Sequence, residues 1–129
     1  MRTERASKPI GLAIVGAGRI GLIRAEIAAK HPNVGWIGLA EIRADRAKEV
    51  AERVEADFCT IDYRELLARP EVTAAVIATD EHLHVDPILA AVERGLNLMI
   101  EKPLATDLGD SARVLQAIQQ SGEIGRAHV

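Results

Sequence analysis

Three glycines in the string "GAGRIG", Gly16, Gly18 and Gly21, keep the spacing GxGxxG between an apolar run and a segment of helical period. In that setting the first glycine makes a tight turn, the second lets the backbone approach a diphosphate, and the third lets helix and strand pack closely. The turn and helix start, Gly16, Ala17, Gly18, Arg19, Ile20 and Gly21, would turn unpaired amide hydrogens and the positive end of a dipole toward an anion. Such a string alone is common in loops. What strengthens it is Glu41, twenty residues beyond Gly21 at the end of the next apolar run. A carboxylate there can accept from an adenosine ribose diol and repels a 2′-phosphate, which favours NAD. Arg43, two residues on, carries the group that accepts such a phosphate, and NADP stays open.

The elements that must position these residues follow from periodicity. Short apolar runs alternate with helical segments, the pattern of βαβ units and a parallel sheet. "IGLAIVG" (10–16), "VGWIGLA" (34–40), "DFCTI" (57–61), "TAAVIAT" (73–79) and "NLMI" (97–100) read as strands. Ile20, Ile23 and Ile27 give the first helix its apolar spacing up to Lys30, where Pro32 ends it. Ala44, Ala47, Val50, Ala51 and Val54 form the apolar face of a second helix, and "DYRELLA" (62–68) a short helical turn. Val85, Ile88, Leu89 and Val92 stripe another helix, which Pro87 requires to start near Val85 or Asp86 and Gly95 stops. Thr106 or Asp107 can cap a last helix to about Gly122.

In a doubly wound sheet, ligands bind at the carboxyl ends of the strands. Gly16, Glu41, Thr79 with Asp80, and Glu101 with Lys102 all follow apolar runs. Four separated segments thus bring polar groups to one edge, which explains why "MIEKPLAT" ends a buried run on two charges.

"IVGAGRIG", the strand ending "VIAT" with His84 a few residues later, and above all "EKPLA" are similar to the nucleotide-binding half of the glucose-fructose oxidoreductase and inositol dehydrogenase family, Gfo/Idh/MocA. The resemblance spans about residues 8–122. It implies an α/β doubly wound Rossmann sheet and NAD(P)-dependent hydride transfer at a secondary hydroxyl of a sugar, polyol or related compound. It also implies an active-site role for Lys102, with Pro103 after a cis bond that aims it. An ammonium beside the substrate oxygen stabilises the alkoxide that grows as hydride leaves. Glu101 could orient Lys102 or bond the nicotinamide ribose, and the backbone at Thr79 lines the nicotinamide side. At Arg43 relatives often carry a small polar cap, so cofactor choice is left open. A redox-sensing module without catalysis, or a site for S-adenosylmethionine, are the competing readings.

The resemblance also implies a second, larger α/β domain that is missing here. Residues 1–8 read as a polar lead, 9–122 as the NAD(P)-binding domain, and 123–129, "EIGRAHV", as a non-native tail resembling a translated sequencing adapter. The expectation is a truncated fragment, inactive alone, of an enzyme that is a homo-oligomer when complete. A net charge of −3 offers no basic field for nucleic acid, and no apolar stretch has the length of a membrane span. A single cysteine, Cys59, cannot form an internal disulfide; it is expected to be a small buried residue in a cytoplasmic protein. His82 and His84 beside Asp80 and Glu81 lack a matched third ligand, so no metal is expected. Trp36 is expected in a core or interface.

Overall fold

The computed structural model describes residues 10–79, 83, 85–100, 116 and 127–128. Six parallel strands form one sheet: β1 (Ile10–Val15), β2 (Val34–Ala40), β3 (Phe58–Thr60), β4 (Ala74–Ile77), β5 (Asn97–Ile100) and β6 (Ala127–His128). Their order is β3-β2-β1-β4-β5-β6, so the direction of winding reverses between β1 and β4. Among the described residues four helices lie between the first five strands: α1 (Arg19–Lys30), α2 (Ala44–Val54), α3 (Tyr63–Leu67) and α4 (Val85–Glu93). The chain is thus an α/β doubly wound sheet, as the alternation of apolar runs predicts. The sequence shows five of these strands. β6 is two residues long, too short for a period to reveal, and it pairs with Leu98 and Met99 of β5.

Strand side chains alternate between two cores. Ala13 and Val15 face α3 and α4, joining Leu66, Ile77, Ile88 and Ile100. Ile14 faces α1 and α2 with Leu39, Ala25, Val50 and Val54. Burying each of the larger of these side chains contributes about 1.5–3 kcal/mol. Trp36 is half-buried, its ring 6.3 Å from that of Phe58 and stacked on it.

Three expectations are corrected. The isoleucines of α1 do not face the sheet: Ile20, Ile23 and Ile27 are exposed, and the helix buries Gly21, Ala25 and Ala28 instead. A β-carbon on Gly21 would stand 1.9 Å from the Gly16 carbonyl oxygen, so only a small-residue face lets the helix come so close. Ala44 is exposed at the first turn of α2, where Ala47, Val50 and Val54 alone are fully buried. Cys59 is exposed as well, because β3 is the edge strand.

Register decides where the site forms. Val15 lies beside Ala40 and Ile77, Ala40 beside Thr60, and Ile77 beside Ile100. Five strands therefore end level along one edge, three of them extended by further backbone bonds: Gly16 N–H to Ala40 O, Glu41 N–H to Thr60 O and Ala78 N–H to Val15 O.

Candidate functional site

A cleft of about 680 Å3 opens along that edge, at the reversal between β1 and β4. Gly16, Gly18, Glu41, Arg43 and Thr79 line it, so residues far apart in the chain come together as the strand-end argument requires. His84, Glu101, Lys102 and Pro103 lie outside the described residues, as do Asp80, Glu81 and His82. Among the described residues no group of three or more His, Cys, Asp or Glu could hold a metal ion.

The glycine turn is shaped by contacts that the protein itself imposes at two of its three glycines. Gly16 has φ +96°, and a β-carbon there would come within 2.8 Å of the Ala78 carbonyl and the Thr79 nitrogen. Gly21 packs on Gly16 as described. Gly18 differs: its φ is −72°, which any residue adopts, and a β-carbon there would meet nothing within 4 Å. The fold itself does not require a glycine at that point, and the bare backbone faces open space in the cleft. Gly18 is also the N-cap of α1, with no side-chain cap, and the first helical amide bond runs from Leu22 to Gly18. The amides from Gly18 to Gly21 consequently have no acceptor within the helix. Arg19 and Ile20, in that first turn, hold their side chains out to solvent.

Glu41 is 7% exposed, the only charged residue among the described ones that is so buried. Its Oε1 accepts the Ala17 amide at 2.9 Å, and its Oε2 accepts the Arg43 amide at 2.9 Å and Arg43 Nε at 3.4 Å. Burial pushes its pKa up; the two backbone amides and the guanidinium more than offset this, holding it below the ordinary value of 4.5. A carboxylate has about four acceptor directions, so at least one is left for a hydroxyl. Arg43 is 63% exposed, and its guanidinium contact is long, so the pair contributes at most about 1 kcal/mol and can be displaced.

The hydroxyl of Thr79 is buried with no hydrogen-bond partner among the described residues. On the β2–β3 side the cleft is walled by Ile42, 71% exposed, by Ile61, 58% exposed, and by Tyr63, under the Arg64 guanidinium. These were not among the residues singled out from sequence. The run "DFCTI" (57–61) counts Ile61 into the third strand, whereas β3 stops at Thr60 and Ile61 lines the cleft. Arg46 is the other omission. Its Nε donates to the Ala17 carbonyl at 2.7 Å, a contact across 29 positions that no local spacing reveals.

Residues 10–128 match the model of an oxidoreductase family with an NAD-binding Rossmann fold. The chain is 31% identical over 115 residues to an inositol 2-dehydrogenase of Gluconacetobacter diazotrophicus, covering 88% of this chain and 34% of that protein. A solved 3-ketoreductase of Actinomadura kijaniata, in complex with TDP-benzene and NADP, superposes with a TM-score of 0.77 at 30% identity, over 89% of this chain and 36% of the other. A scyllo-inositol dehydrogenase of Lactobacillus casei, with bound NAD(H) and scyllo-inositol, superposes with a TM-score of 0.82 at 23% identity, over 90% and 34% respectively. The chain thus spans about a third of the length of these relatives. Among the described residues no helix is long and apolar enough to cross a membrane. The chain belongs to the Gfo/Idh/MocA oxidoreductase family, and its fold is that family's NAD-binding Rossmann fold.

Proposed function

We propose that this chain is the dinucleotide-binding part of an enzyme that oxidises a secondary hydroxyl of a sugar or polyol, preferring NAD to NADP. The observation that carries the reading is the juxtaposition of Gly18, bare toward the cleft, with the Glu41 carboxylate held beside it by the Ala17 amide. A diphosphate would lie against the amides of the α1 start, and a ribose hydroxyl would donate to Glu41. Ile42 and Ile61 offer apolar walls to a base.

Bound NAD supplies a hydride acceptor. The carbinol carbon would give its hydride to that acceptor, the hydroxyl proton would pass to solvent, and a ketone would result. In this reading Lys102 steadies the developing alkoxide, and the Thr79 backbone borders the nicotinamide. The polyol class rests on the inositol 2-dehydrogenase likeness and on the lysine of the "EKPLA" string.

Titration of the chain with NADH, NADPH and S-adenosylmethionine tests the cofactor reading. NADH is expected to bind tightest, and Glu41→Ser is expected to shift the NADPH to NADH affinity ratio by about tenfold toward NADPH. Preference for S-adenosylmethionine would remove the dehydrogenase reading, and an unmoved ratio would remove Glu41 from the ribose.

A further inference from the structure

We infer that Arg46 is a positioning residue for the diphosphate of the dinucleotide: by holding the Ala17 carbonyl, it aims the Gly18 amide hydrogen into the cleft. The inference rests on the dinucleotide reading above and adds a residue to it. The Ala17–Gly18 peptide is planar and trans, so its C=O and N–H point in opposite directions. Arg46 Nε holds that oxygen at 2.7 Å from the first turn of α2. The hydrogen on Gly18 must then point away from α2, and Gly18 lines the cleft.

Such a tether answers a specific weakness of the turn. Turning the Ala17–Gly18 plane over changes ψ of Ala17 and φ of Gly18, and a glycine tolerates the φ that results. The residue left bare for the ligand is therefore also the one that lets its own amide turn the wrong way. Glu41 fixes the plane on the other side of Ala17 by taking its N–H. Arg46 fixes the second plane, so both peptides flanking Ala17 are held by groups from the β2–α2 side. The arginine is 26% exposed, and its Nη1 lies 3.9 Å from Glu49 Oε2, so its charge is partly balanced and its directed N–H is the distinguishing feature.

Two variants separate a directed bond from charge. Arg46→Gln keeps a nitrogen donor as many bonds from the backbone as Nε, without charge, whereas Arg46→Met places a methyl there. The chain and both variants are titrated with ADP-ribose and with adenosine, with a melting curve for each. Arg46→Met is expected to weaken ADP-ribose about tenfold and leave adenosine unchanged, while Arg46→Gln stays within about threefold of the parent. If Arg46→Met does not fold, Arg46→Lys takes its place: it keeps charge but puts a methylene at the Nε position, and is expected to fall below Arg46→Gln. Equal losses for both ligands, no loss for ADP-ribose in Arg46→Met or Arg46→Lys, or a loss in Arg46→Gln as large as theirs, would each overturn the inference. Failure of the parent chain to bind ADP-ribose would instead overturn the dinucleotide reading, before any variant is compared.

Discussion

The Glu41 carboxylate lies 2.9 Å from the Ala17 amide nitrogen, 24 residues away in the chain. The group proposed to read the ribose therefore also braces the turn proposed to hold the phosphates. Glu41→Ala leaves two backbone amides, those of Ala17 and Arg43, without that acceptor, and is expected to cost about 2–3 kcal/mol of stability. Urea unfolding midpoints measure this; a midpoint equal to the parent's would show that the carboxylate does not brace the turn.

The same bonds set a pH dependence. Because Glu41 is held below its ordinary value of 4.5, its ionised form is favoured by folding. Its contribution is complete above that value and is lost as pH falls through the lower folded one. The stability difference between the parent and Glu41→Gln should hold steady at pH values well above 4.5 and shrink as pH falls below that value, as parallel denaturation curves would reveal. A constant difference on both sides of that value would contradict the assignment.

The roles of the second and third glycines of the motif can be separated by one methyl group each. Gly21→Ala pushes a β-carbon to 1.9 Å from the Gly16 oxygen and is expected to destabilise the fold by about 2 kcal/mol or more. Gly18→Ala meets nothing within 4 Å and is expected to cost under about 1 kcal/mol, yet to weaken NADH binding by at least about tenfold. Melting curves and NADH fluorescence titrations on both variants check the pair, and a Gly18→Ala variant that binds NADH like the parent would leave the diphosphate placement without support.

Cys59 is exposed, but partial burial pushes its thiol pKa above the ordinary value of 9.0. The folded chain should react fully with an aromatic disulfide reagent, more slowly than a free thiol at neutral pH because less thiolate is present. A rate equal to that of unfolded chain would count against the shift.

How far the sequence could be read depends on what each feature leaves in it. The bounds of β2, α2 and β5 were legible because an apolar run or stripe of several residues states them directly. The ends of β1, β2 and β5 were legible too, since those runs stop at Gly16, Glu41 and Glu101, whereas the register that brings them level is a property of the strand pairing and not of any local pattern. The burial of α1 was not: isoleucine at helical spacing looks like a core stripe, while close approach to the Gly16 oxygen selects glycine and alanine instead. Edge exposure at Cys59 depends on strand order, which no local pattern carries. The grip of Arg46 on Ala17 depends on how α2 sits against the turn, and a solvated arginine looks the same in one dimension.

β1 is bonded along both sides, to β2 and β4, whereas β3 has a neighbour on one side only. The glycine turn hangs from the first and Ile61 from the second. Backbone at the glycine turn can open only when the centre of the sheet does, while the far wall of the cleft can breathe by peeling a three-residue margin strand. Hydrogen exchange would thus run slow at Val15 and Gly16 and fast at Cys59 and Thr60: one end of the cleft is a fixed die, the other a yielding lip.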